Sequence, residues 1–94
     1  MTPTEQDKLY HFVSMVSDEF SIAIEKFPAP NPNLAALTEE VGELAQAILH
    51  IREGKTNEWD RVFCEAVQVA AMAARCALEG DATIGVVPIG SAII

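Results

Sequence analysis

The seventeen residues from Val62 to Leu78 include only three polar side chains, Glu65, Gln68 and Arg75. No Gly or Pro interrupts the run, and six of its residues are alanine. That composition predicts a helix that is apolar nearly all round, and such a helix must be covered on nearly every side. Two more helices from one short chain leave part of it bare. The small residues Ala66, Ala70, Ala71, Ala73, Ala74 and Ala77 permit close helix approach. This helix is therefore expected to lie at a subunit interface, since a small domain alone buries too little surface.

Two further helices carry their own start and stop signals. Thr2-Pro3-Thr4-Glu5 reads as a capping box with Pro at the first helical position. Apolar residues follow at Leu9, Phe12, Val13, Val16, Phe20, Ala23, Ile24 and Phe27, the spacing of one helical stripe. Pro28, Pro30 and Pro32 end it, because proline lacks the N–H and restricts the residue before it. The second helix is expected to start with Asn31 or Asn33 as N-cap and to run to Gly54. Its stripe is Leu34, Leu37, Val41, Leu44, Ala45, Ile48 and Ile51. Lys55–Asn57 is a short turn, so the second and third helices should pack antiparallel. The third is expected to start near Asn57 and stop at Gly80. The sequence thus predicts one all-α domain over residues 1–94: an antiparallel hairpin plus an N-terminal helix, completed as a four-helix-type bundle by oligomerisation.

Fourteen acidic against six basic residues give a net charge of −8. Such a field repels phosphate backbones and anionic lipid, which argues against nucleic-acid polymer and membrane partners. The N-terminus has neither basic n-region nor apolar h-region, so no secretory leader is read and a cytoplasmic location is expected. Cys64 and Cys76, about 18 Å apart along one helix, cannot pair and are expected as buried free thiols. The uncharged tail 82–94 is too short and broken to span a bilayer; it is expected to dock on a neighbouring subunit.

The polar residues inside the apolar helices are the informative ones. On the second helix Glu40 and Glu43 are an i, i+3 pair, and Glu39 and Glu43 an i, i+4 pair. On the third, Glu65 and Gln68 lie within about 60° of each other. An antiparallel hairpin can bring these two ridges together. Carboxylates 4 Å apart repel by about 4 kcal/mol at an effective dielectric of 20. They then either hold protons or bind a hard divalent cation, and all-oxygen donors favour Mg²⁺ or Mn²⁺. The plain alternative is a solvated acidic face.

Glu39-Glu40-Val41-Gly42-Glu43, followed after 21 residues by Glu65-Ala66-Val67-Gln68, resembles the EExxE…ExxD signature of the MazG-type all-α nucleoside triphosphate pyrophosphohydrolases. The stretch Leu37–Leu49, LTEEVGELAQAIL, looks like that family's second helix. The resemblance covers roughly residues 20–81. It implies a helical dimer or tetramer with Mg²⁺ held between helices. The implied activity is hydrolysis of (d)NTPs to (d)NMP and pyrophosphate, with nucleotide-pool house-cleaning as the implied role. By position, Glu40, Glu43 and Glu65 would be metal ligands, and Glu39 would aid a second cation or orient water. Gln68 stands where the family has Asp; an amide oxygen is a neutral, weaker ligand for a hard ion. The alternative is a non-catalytic nucleotide-binding or helical oligomerisation module. Arg75 is a candidate phosphate contact or the partner of an acid. Lys26 is a candidate for the triphosphate and Trp59 for stacking on a base, with a solvated lysine and a packed tryptophan as the plain alternatives. His50 shares the Glu43 face, and His11 has no ligand partner by spacing.

Overall fold

The computed structural model describes residues 1–88 and is all-helical: α1 Pro3–Lys26, α2 Asn33–Arg52 and α3 Trp59–Glu79, then one 3₁₀ turn, Ala82–Ile84. Among the described residues no helix is long and apolar enough to cross a membrane. The capping box forms as expected: Glu5 N donates to Thr2 Oγ1 and Thr2 N to Glu5 Oε1, each at 3.1 Å. Gly54 takes the left-handed conformation, φ 74°, that lets the chain leave α2.

Neither asparagine caps α2. Pro32 occupies the cap position and makes no side-chain cap bond. The cap comes from 47 residues away, where Asp81 Oδ2 accepts from Leu34 N at 2.9 Å. Asn33 turns inward and donates through Nδ2 to Gly80 O at 2.9 Å. Asn31 folds back to donate to Phe27 O and Pro28 O, closing the C-terminus of α1. α3 starts two residues later than expected, at Trp59, with Glu58 in the cap position.

α3 is the central element: α2 packs antiparallel on one side and α1 on another. Among the described residues the buried apolar side chains, Ala47, Val67 and Ala71, lie on α2 or α3. Phe63 stacks on His11 and meets Phe12 edge-on. Arg75, only 3% exposed, fastens α1 to α3. Its Nε and Nη2 grip Glu79 at 2.8 and 3.0 Å, Nη2 also donates to Phe27 O at 2.6 Å, and Nη1 to Ala23 O at 3.3 Å. A guanidinium thus adds donors to the C-terminal carbonyls of α1, beside the Phe27 N–H on Ala23 O and the Asn31 amide on Phe27 O.

The cysteines differ from expectation. Cys64 is exposed, on a cavity shared with Met15, Asp18 and Ile22 of α1, and Cys76 is half-buried. Beyond α3, Asp81 and Val86 pair through two backbone hydrogen bonds and turn the chain back. Gly80 permits this: its φ is 66°, and a Cβ there would sit 2.5 Å from Val86 O. The expected docking of the tail falls partly on residues 89–94, outside the described residues.

Candidate metal centre

Glu40 and Glu43 occupy adjacent turns of α2, and Glu65 faces them from α3. One carboxylate oxygen from each lies within 4.8 Å of the other two. The three side chains are half-buried, and Glu40 Oε2 is out of contact with water and has no hydrogen-bond partner. Burial pushes the Glu40 carboxyl above its ordinary value, and the charges of Glu43, Glu65 and Glu39 push it further. These are the causes that favour a proton on an acid.

The donor set fits a hard divalent cation. Oxygens bound to Mg²⁺ at 2.0–2.1 Å are about 3 Å apart when adjacent and about 4 Å when opposite. Three carboxylates within 4.8 Å therefore need only a small contraction, well within the rotamer freedom of half-buried glutamates. No His or Cys belongs to the cluster, so its donors are all carboxylate oxygens, the type that hard cations take and that zinc takes less readily.

Beside the cluster, a cavity of about 330 Å³ opens between α1, the proline loop and the hairpin, lined by Glu19, Asn33, Glu40, Gln68, Met72 and Arg75 among others. Gln68, one turn beyond Glu65, is half-buried on its wall. Glu39 is exposed, and no oxygen of it joins the triad. Arg75 lines the cavity, yet four hydrogen bonds to Glu79 and the end of α1 occupy it. Its acid partner is Glu79 of its own helix. Lys26 and Trp59 are exposed and do not line the cavity. His50 is half-buried but outside the triad.

Two lining residues escaped the sequence reading. Glu19 sits three residues after Val16 and four before Ala23, so it falls on the half-buried side of α1 with them; that spacing was the available signal. Asn33 is 1% exposed with Oδ1 unpartnered, and it was read as a cap. No family model, curated protein or solved structure matches this chain.

Proposed function

We propose that this chain is a Mg²⁺-dependent hydrolase of (d)NTPs, yielding (d)NMP and pyrophosphate, that works as a self-associated helical assembly in the cytoplasm. The observation that carries the reading is the convergence of Glu40, Glu43 and Glu65 from two helices, with a buried, unpartnered oxygen on Glu40. The resemblance of Glu39–Glu43 and Glu65–Gln68 to the MazG-type signature supports the same chemistry. An acidic protein binds a polyanion when a cation bridges them. When bound, Mg²⁺ neutralises phosphate charge and lowers the pKa of an attacking water. Glu40, Glu43 and Glu65 hold the cation, and Gln68 offers an amide oxygen beside them. Glu39, exposed at the rim, orients water or aids a second cation. The adjoining cavity receives the organic part of the nucleotide.

Gln68 favours one alternative. A neutral amide in place of a carboxylate weakens the cation site, and the chain then binds nucleotide without cleaving it. Pyrophosphate release across a nucleotide panel, with Mg²⁺ and with Mn²⁺, separates the readings. The hydrolase reading expects turnover with at least one nucleotide, lost in Glu43→Ala and Glu65→Ala. Turnover that appears only in Gln68→Asp makes the natural chain a binder. Its absence from both proteins overturns the hydrolase.

A further inference from the structure

The cavity beside the carboxylates has a lopsided hydrogen-bonding wall. Its polar side chains are Glu19 of α1, Asn31 of the proline loop, Asn33 and Glu40 of α2, and Gln68 and Arg75 of α3. Most of their donors are committed elsewhere. Asn31 Nδ2 donates to Phe27 O and Pro28 O, and Asn33 Nδ2 to Gly80 O. A guanidinium has five N–H donors, and Arg75 spends its hydrogen bonds on Glu79, Phe27 O and Ala23 O.

The acceptors are free. Among the described residues the ion pairs are Lys55–Glu53 and Arg75–Glu79, so the half-buried Glu19 has no cationic partner and the Arg75 charge is already neutralised. Asn33 is 1% exposed, and its Oδ1 is buried without a donor. Gly80 O can only accept, which fixes the amide with Nδ2 on that side. The planar group turns Oδ1 away from Gly80, which lines a neighbouring cavity and not this one. A buried acceptor with no donor is costly, and an N–H brought into the cavity relieves that cost. The wall therefore suits a ligand edge rich in N–H groups.

Nucleobases divide on this chemistry. Cytosine, adenine and guanine each carry an exocyclic amino group. Uracil and thymine place a carbonyl oxygen where cytosine has its amino group, and hypoxanthine does the same relative to adenine. Glutamate is a fitting acceptor for the cytosine amino group. A carbonyl in that place would meet Glu19 and Asn33 Oδ1 acceptor to acceptor, and a site built to bond an N–H rejects the analogue lacking it. Size does not separate them, since each amino base and its oxo counterpart share one outline. Phe27 and Met72 on the same wall offer apolar contact to either ring.

We infer that Glu19 and Asn33 select nucleotides whose base carries an exocyclic amino group over those of uracil and thymine. The inference rests on this cavity receiving the organic part of the nucleotide, and it is independent of the cation and of turnover.

Free nucleosides test it, because they carry no phosphate and need no metal. Cytidine against uridine, and adenosine against inosine, are titrated into the isotope-labelled full chain in EDTA and followed by NMR. Cytidine and adenosine are expected to bind about tenfold or more tightly than their oxo counterparts and to move the Asn33 side-chain NH₂ signal. Glu19→Gln places N–H donors on the wall without changing its shape, and circular dichroism checks that the helices persist. In this variant each pair is expected to come within about threefold, as the carbonyl gains a donor. Equal affinities within each pair in the wild type, no saturable shift from any of the four, or a preference unchanged in Glu19→Gln overturns the inference. A preference that holds in a chain releasing no pyrophosphate supports the selection and removes the hydrolase alone.

Discussion

A carboxylate oxygen removed from water and given no donor is costly to ionise; Glu40 has one in Oε2, and an oxygen of its carboxylate lies within 4.8 Å of those of two other acids. Because its carboxyl is held above the ordinary value of 4.5, the folded state binds its proton more tightly than the unfolded chain does. Its contribution to stability is complete below the ordinary carboxylate range and is lost as pH rises through the elevated folded value. Ionising Glu40 therefore costs the cation-free protein stability as pH rises. Glu40→Gln removes that charge and keeps the shape. We expect the variant to melt a few degrees above the wild type at pH 7.5 without divalent ions, and the gap to close at pH 4. On the proposed cation reading the order should invert in Mg²⁺, since the variant would offer one carboxylate fewer to the ion. Thermal melts at the two pH values, with and without Mg²⁺, check all three statements; a variant less stable than wild type at pH 7.5 without cation contradicts the assignment.

The helices hold together through a few long-range ties, and Arg75 is the most concentrated. Removing its side chain leaves the partly buried Glu79 carboxylate without a donor and strips the tie between α3 and the end of α1. Loss of one partner from a buried pair costs about 3–5 kcal/mol, a large part of the stability of a chain this size. Arg75→Ala should lower the urea midpoint sharply, and Arg75→Lys should recover little, because an ammonium cannot span Glu79 and Phe27 O together. The sequence made Arg75 conspicuous as the one cation in an apolar run, but its partners on α1 are 48 and 52 residues away and left no local trace. The Asp81 cap is equally silent. Its carboxyl is held below the ordinary value by the Thr83 hydroxyl first and then by Leu34 N. What was legible is what local chemistry fixes: the Thr2–Glu5 box, the proline stop, the Gly54 exit and the helical spacing, whereas Leu9, Val13, Ile24, Phe27, Leu34, Val41 and Ile48 of the expected stripes stay exposed. The meeting of Glu65 with Glu40 and Glu43 followed from the short Lys55–Asn57 turn, which imposes an antiparallel hairpin. On α3 itself, α1 and α2 pack on two sides while Ala73 and Ala77 stay exposed.

At the scale of the whole molecule, a charge of −8 gives every added salt some stabilising effect, and general screening must be told apart from a held ion. The Debye length is about 10 Å at 0.1 M salt, more than twice the 4.8 Å that bounds the triad. Monovalent ions therefore relax repulsion between distant acids but leave the Glu40–Glu43–Glu65 contact nearly intact. At that spacing each ionised pair repels by about 3 kcal/mol at an effective dielectric of 20; solvent at these half-buried groups lowers the figure further. An ion held between the three carboxylates relieves this repulsion directly and adds stability in proportion to the logarithm of its concentration over its dissociation constant. Millimolar Mg²⁺ should raise the melting temperature well beyond NaCl of equal ionic strength, and the increment should keep growing with Mg²⁺ after the NaCl curve has flattened. In the Glu43→Gln, Glu65→Gln double variant the two salts should give superimposable curves. If they already coincide in the wild type, the acids are a solvated face and the cation reading fails, whatever the nucleotide assays return.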